Sequence, residues 1–119
     1  MSFLSGLFSS KPAHPPLDEV ARRVAAGTAV LIDVREADEW AETGVAEPAL
    51  TLAMSALRGS GDAWKPVLEA NKERELFLYC HSGGRSGRVA EVLTRQGYRA
   101  FNIGGFADWA RAGLPVRKV

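Results

Sequence analysis

Apolar runs of strand length alternate along this chain with segments whose apolar residues recur at helical spacing, and this alternation restricts the fold more than any other feature. Ala29-Val30-Leu31-Ile32 is the first run, Glu75-Leu76-Phe77-Leu78-Tyr79-Cys80 the second, and residues 98–103 form a third. The first is continuous rather than alternating, as in a strand buried on both faces. Before it, Leu17, Val20, Ala21 and Val24 keep helical spacing, and Gly27 provides a stop. Asp38-Glu39-Trp40-Ala41 reads as one helical turn, and Trp64, Val67 and Leu68 as part of another helix. A further helix is expected to open at Ser86, bury Val89, Val92 and Leu93, and close at Gly97. Gly104-Gly105 reads as a turn into a last short helix carrying Phe106 and Trp109. Residues 45–54 have no clear period, though Leu50 to Leu52 suits a short strand. The expected class is α/β, with a central parallel sheet and helices on both faces. Ligands of such sheets sit beyond the carboxyl ends of the strands.

The domain is expected to occupy residues 17–119. Residues 1–16 read as an arm and linker: Phe3, Leu4, Leu7 and Phe8 are interrupted by Ser and Gly, and Pro12, Pro15 and Pro16 follow. That arm suits a partly ordered tail, or a segment that docks a partner or touches a membrane, and no stretch of it is long enough for a signal-peptide core. Fifteen basic residues against fourteen acidic ones leave a charge of +1, which argues against a nucleic-acid partner. No apolar run approaches the ~20 residues that a membrane-spanning helix needs. The chain has one cysteine, so it forms no internal disulfide and no thiolate metal cluster. It has no phosphate-binding glycine motif and no metal-ligand spacing, so neither a metal nor an organic cofactor is expected. A single free thiol fits a soluble cytoplasmic protein.

The chemistry concentrates in Tyr79-Cys80-His81-Ser82-Gly83-Gly84-Arg85-Ser86-Gly87. Cys80 ends an apolar strand, and a short glycine-containing loop leads into the next helix. Glycine lets the backbone curl so that successive N–H groups converge on one point. The helix start adds unpaired N–H donors and a partial positive charge, and Arg85 adds a full one. A thiol placed there is expected to titrate below its ordinary ~8.5, within the roughly 3.5–7.5 range of activated cysteines. An inert core cysteine would need none of these neighbours.

These residues resemble the active loop of the rhodanese family. Leu31-Ile32-Asp33-Val34-Arg35 followed by Glu39-Trp40 looks like the family's Asp-Val-Arg signature, and Gly104-Gly105-Phe106 with Trp109 and Gly113-Leu114-Pro115-Val116 looks like its closing signature. The resemblance covers residues 17–119 and implies a cysteine that carries sulfane sulfur as a persulfide. Family sulfurtransferases have six residues from the cysteine to the arginine of the loop, and the phosphatase-like and arsenate-reductase-like relatives have seven. Here Cys80 through Arg85 makes six. The smaller ring of N–H groups suits one terminal sulfur better than a tetrahedral oxyanion.

The resemblance therefore implies a sulfurtransferase of the thiosulfate type. Its donor would be a small sulfur-containing anion and its acceptor cyanide or a thiol, including a protein thiol. Cys80 is the expected nucleophile, and Arg85 is expected to bind the donor's anionic end. His81, Ser82, Gly83 and Gly84 are expected to supply loop N–H groups, and Ser86 to cap the helix or touch the loop. Asp33 and Arg35 are read as scaffold, with Asp33 accepting hydrogen bonds near the active loop and Arg35 pairing with Glu36 or Glu39. Trp40, Phe106 and Trp109 are read as core or pocket wall. The stretch Gly44 to Leu57 departs from the family pattern in lacking its histidine, which leaves the pocket rim and the place of Arg58 open. Two other readings remain: a non-catalytic binding module or persulfide carrier for a protein partner, and a phosphatase or arsenate reductase.

Overall fold

The structure, a computed structural model, describes residues 14–119. The arm expected before Pro12 lies outside the described residues. The elements run α1 (Leu17–Ala25), β1 (Ala29–Asp33), α2 (Ala37–Thr43), β2 (Val45–Ala46), β3 (Leu50–Thr51), α3 (Met54–Arg58), α4 (Lys65–Ala70), β4 (Glu75–Cys80), α5 (Gly84–Arg95), β5 (Arg99–Gly105), α6 (Phe106–Arg111) and β6 (Val116–Arg117).

Strands β3-β1-β4-β5 form a parallel sheet in that order, so β1 and β4 are its inner strands. Their continuous apolar runs follow from this place. Ile32, Leu76 and Leu78 face α3, α4 and α5, where they meet Leu68, Val89 and Leu93. Leu31, Phe77 and Tyr79 face α1 and α6, where they meet Val20 and Trp109. The sheet is therefore covered on both sides, and each fully buried side chain of this kind contributes roughly 1.5–3 kcal/mol. Among the described residues no helix is long and apolar enough to cross a membrane.

Two local differences from the sequence reading shape the site. Helix α5 opens at Gly84 rather than at Ser86, because Gly83 at φ +103° turns the chain straight into the helix. Strand β5 runs through Gly104 and Gly105 instead of turning there, and Cys80 lies opposite Gly105 while Leu78 lies opposite Asn102. One extra β5 residue is thus accommodated in a bulge beside the end of β4. Close approach explains the glycine: a Cβ at position 105 would overlap the carbonyl oxygen of His81.

The stretch without a clear period contains β2 and β3 and ends at Met54, where the short helix α3 begins. Strand β2 pairs antiparallel with β6, which joins the chain near residue 45 to its carboxyl end.

Candidate active site

Side chains alternate along β4, and Cys80 falls on the same face as Leu76 and Leu78. Its side chain sits beneath the first turn of α5, with only 1% of the residue exposed. The Gly83 N–H donates to Sγ at 3.1 Å, and Ser86 Oγ lies 3.3 Å from it. Burial pushes the thiol up, but the Ser86 hydroxyl and the backbone N–H groups of Ser86, Gly83 and Ser82 outweigh it, so the net shift is downward. A buried sulfur whose ionised form is favoured can act as a nucleophile, provided its partner reaches it through the loop.

Ser86 is the third residue of α5 and does not cap it. Its Oγ lies 2.7 Å from Asn102 Oδ1. The Asn102 amide is oriented by two further bonds: Oδ1 accepts the Gly104 N–H at 3.0 Å, and Nδ2 donates to the Gly83 carbonyl at 2.9 Å. Asn102 thus ties β5, the loop and Ser86 together. It escaped the sequence reading, although a polar residue within an otherwise apolar strand segment was the available signal. Its position opposite Leu78 puts it on the Cys80 face.

Arg85 grips Glu39 of α2 end-on, Nη1 to Oε1 at 2.6 Å and Nη2 to Oε2 at 2.8 Å. The pair is partly exposed, 32% for Arg85 and 25% for Glu39. The Arg85 guanidinium, together with the Glu36 N–H, holds the Glu39 carboxyl down at about 2 against the cost of burial. Glu39 in turn raises the Arg85 guanidinium further. His81 and Ser82 are exposed, as is Gly84. Between α2 and the loop lies a hollow of about 410 Å³, lined by Glu39, Glu42, Thr43, His81, Ser82 and Arg85, with Arg35 at its edge.

Arg35 pairs with neither Glu36 nor Glu39. Its guanidinium turns inward onto Asp33, with Nη2 2.8 Å from Oδ2, and both side chains are almost fully buried. Arg35 also donates to Thr43 Oγ1 and to the Gly44 carbonyl, and it lies 4.7 Å from the Phe106 ring centre. Asp33 accepts a further bond from Trp40 Nε1 at 3.1 Å. Its partners are thus Arg35 and Trp40 rather than the loop. Trp109 is buried, and its Nε1 donates to the Pro115 carbonyl. Arg58 stands away from the hollow, in a groove between α3 and α5 that it shares with Arg88.

The profile of the rhodanese-like domain family matches residues 16–112. A sulfurtransferase of Allochromatium vinosum is 37% identical over 91 residues, which cover 73% of this chain and 77% of that protein. A thiosulfate sulfurtransferase of Coxiella burnetii is 35% identical over 82 residues, covering 67% and 70%. Among solved structures, a rhodanese-related protein of Thermoplasma volcanium superposes with a TM-score of 0.68 at 26% identity, over 84% of this chain and 92% of that one.

Proposed function

The chain belongs to the rhodanese-like domain family, and from that premise we propose that it is a sulfurtransferase moving a sulfane sulfur through a persulfide on Cys80. The observation that carries this reading is a lone sulfur at the end of β4, held by the Gly83 N–H at 3.1 Å under the start of α5. Relatives named as sulfurtransferases at 35–37% identity support it.

The reaction has two balanced halves. The Cys80 thiolate attacks the outer sulfur of a donor such as thiosulfate, the donor's S–S bond breaks, and sulfite leaves with the bonding pair. Cys80 then carries an anionic terminal sulfur, which the loop N–H groups stabilise in the manner of an oxyanion hole. An acceptor nucleophile, cyanide or a thiolate, takes that sulfur and returns the Cys80 thiolate. Neither half calls for a metal or an organic cofactor, since the sulfur moves without net oxidation. A covalent intermediate of this kind gives ping-pong kinetics. In this reading His81, Ser82, Gly83 and Gly84 shape the loop, and Ser86 donates to the sulfur. Arg85 meets the donor's anionic end through the N–H groups that Glu39 leaves free. Asp33 and Arg35 hold the ends of β1 and α2 in place. The cytoplasm, where thiols stay reduced, suits a protein that must regenerate Cys80.

Intact mass spectrometry after thiosulfate treatment tests the reading. The expected result is a gain of one sulfur, lost on adding cyanide and absent from Cys80→Ala. A reduced wild-type protein that gains no sulfur, or turnover of aryl phosphate or arsenate by Cys80 with no persulfide formed, overturns it.

A further inference from the structure

We propose that Glu39 selects the donor: by engaging Arg85 end-on, it cancels the cation beside the loop, so the site favours singly charged sulfane donors over small dianions. The inference rests on the sulfurtransferase reading and concerns the charge of what enters.

The geometry makes the Glu39 carboxylate a fixed part of the site. It holds both Nη atoms of Arg85 at 2.6 and 2.8 Å. Its Oε1 also accepts the Glu36 N–H at 3.1 Å at the start of α2, while the Glu36 carboxylate accepts the Ser55 hydroxyl at 2.7 Å. Swinging Glu39 aside to free Arg85 would break the helix start as well as the ion pair. The other cation at the hollow, Arg35, is matched by buried Asp33. Glu42 lines the same hollow and has no ion-pair partner among the described residues. Arg35 and Arg85 are each matched by a carboxylate, so Glu42 is the charge left without a counterpart among the side chains lining the hollow. Arg85 keeps hydrogen-bond donors for an anionic group but brings no uncompensated charge.

Coulomb energy scales with the donor's charge, so a dianion pays twice what a monoanion does for the same carboxylate. Thiosulfate and methanethiosulfonate make the comparison, since a methyl group in the second replaces a charged oxygen of the first. Both deliver the same outer sulfur. With methanethiosulfonate the Cys80 thiolate displaces methanesulfinate, and charge balances as it does with thiosulfate and sulfite.

The experiment measures kcat/KM for both donors in wild type and Glu39→Gln, with cyanide as acceptor. Gln keeps an oxygen for the Glu36 N–H and removes the charge. The expected gain is roughly tenfold for thiosulfate and about threefold for methanethiosulfonate, carried by KM, because the larger factor is the square of the smaller. A change equal for the two donors, or a loss with thiosulfate alone, overturns the inference. Wild type supplies a second measurement that does not depend on how the variant folds. Raising the salt concentration should hold or raise kcat/KM for thiosulfate, because repulsion is being screened. A several-fold fall would mean that Arg85 acts as an open cation, and it would overturn the inference too. If wild-type protein takes sulfur from neither donor, the sulfurtransferase reading fails first and the selection by Glu39 falls with it. Transfer from both donors with no change in their ratio refutes Glu39 alone.

Discussion

Ser86→Ala isolates what a single hydroxyl does for the Cys80 thiolate. The orientation of Asn102 decides the bookkeeping of protons. Its Oδ1 faces the Gly104 N–H and its Nδ2 faces the Gly83 carbonyl, so the oxygen 2.7 Å from Ser86 Oγ is an acceptor. While Cys80 is a thiol, the Ser86 hydroxyl donates to Asn102 Oδ1. Once Cys80 ionises, the hydroxyl must turn to the sulfur 3.3 Å away and leave Asn102. Ser86 therefore exchanges one neutral bond, worth about 0.5–1.5 kcal/mol, for one charge-assisted bond worth about 1.5–3 kcal/mol. The net preference for the thiolate is about 1–1.5 kcal/mol, or about one pKa unit.

Removing the hydroxyl should raise the Cys80 pKa by about one unit. Burial opposes ionisation, and the backbone N–H groups of Gly83 and Ser82 remain to offset part of it. The assay is the rate of alkylation by iodoacetamide as a function of pH, with one adduct per chain because Cys80 is the only cysteine. The thiolate is the reacting form. Below both pKa values the variant should react about tenfold more slowly, and above both the two rates should converge. A pKa unchanged or lowered in Ser86→Ala would refute the exchange. It would mean that the Ser86 proton stays with Asn102 in both states and that the backbone alone holds the thiolate.

Two further substitutions probe the frame around the sulfur. Gly105→Ala should lower stability by about 1–3 kcal/mol and raise the Cys80 pKa, because its Cβ drives the His81 carbonyl and the loop outward. Gly84→Ala faces open space and should change neither, and chemical denaturation with the alkylation profile distinguishes the pair. Arg35→Met leaves the Asp33 carboxylate buried with only Trp40 and a backbone N–H as partners, which should cost about 3–5 kcal/mol in urea unfolding. Adding Asp33→Asn should recover part of that loss, and a single variant as stable as wild type would refute the ion pair's role.

What could be read from the sequence, and what could not, divides along contact distance. Helices α1 and α5 and strands β1 and β4 announce themselves because their apolar period is written in consecutive residues. Strands β2 and β6 do not, since each has only two residues and exists by pairing Val45 with Arg117 and Ala46 with Val116. Gly104-Gly105 has the composition of a turn, yet it stays in β5 because the sheet needs a residue without a side chain opposite Cys80. The active loop follows the same division. The glycines, the helix start and the thiol are neighbours in the chain, so their effect on the sulfur is visible locally. The compensating groups come from afar: Glu39 precedes Arg85 by 46 residues, and Asn102 follows Ser86 by 16. Local reading therefore supplies a cation beside a sulfur and assigns it to the donor. The folded chain has already given that cation a carboxylate partner and the serine proton an amide partner. The chemistry of the loop depends on how far these two distant residues yield when the sulfur ionises and a donor arrives.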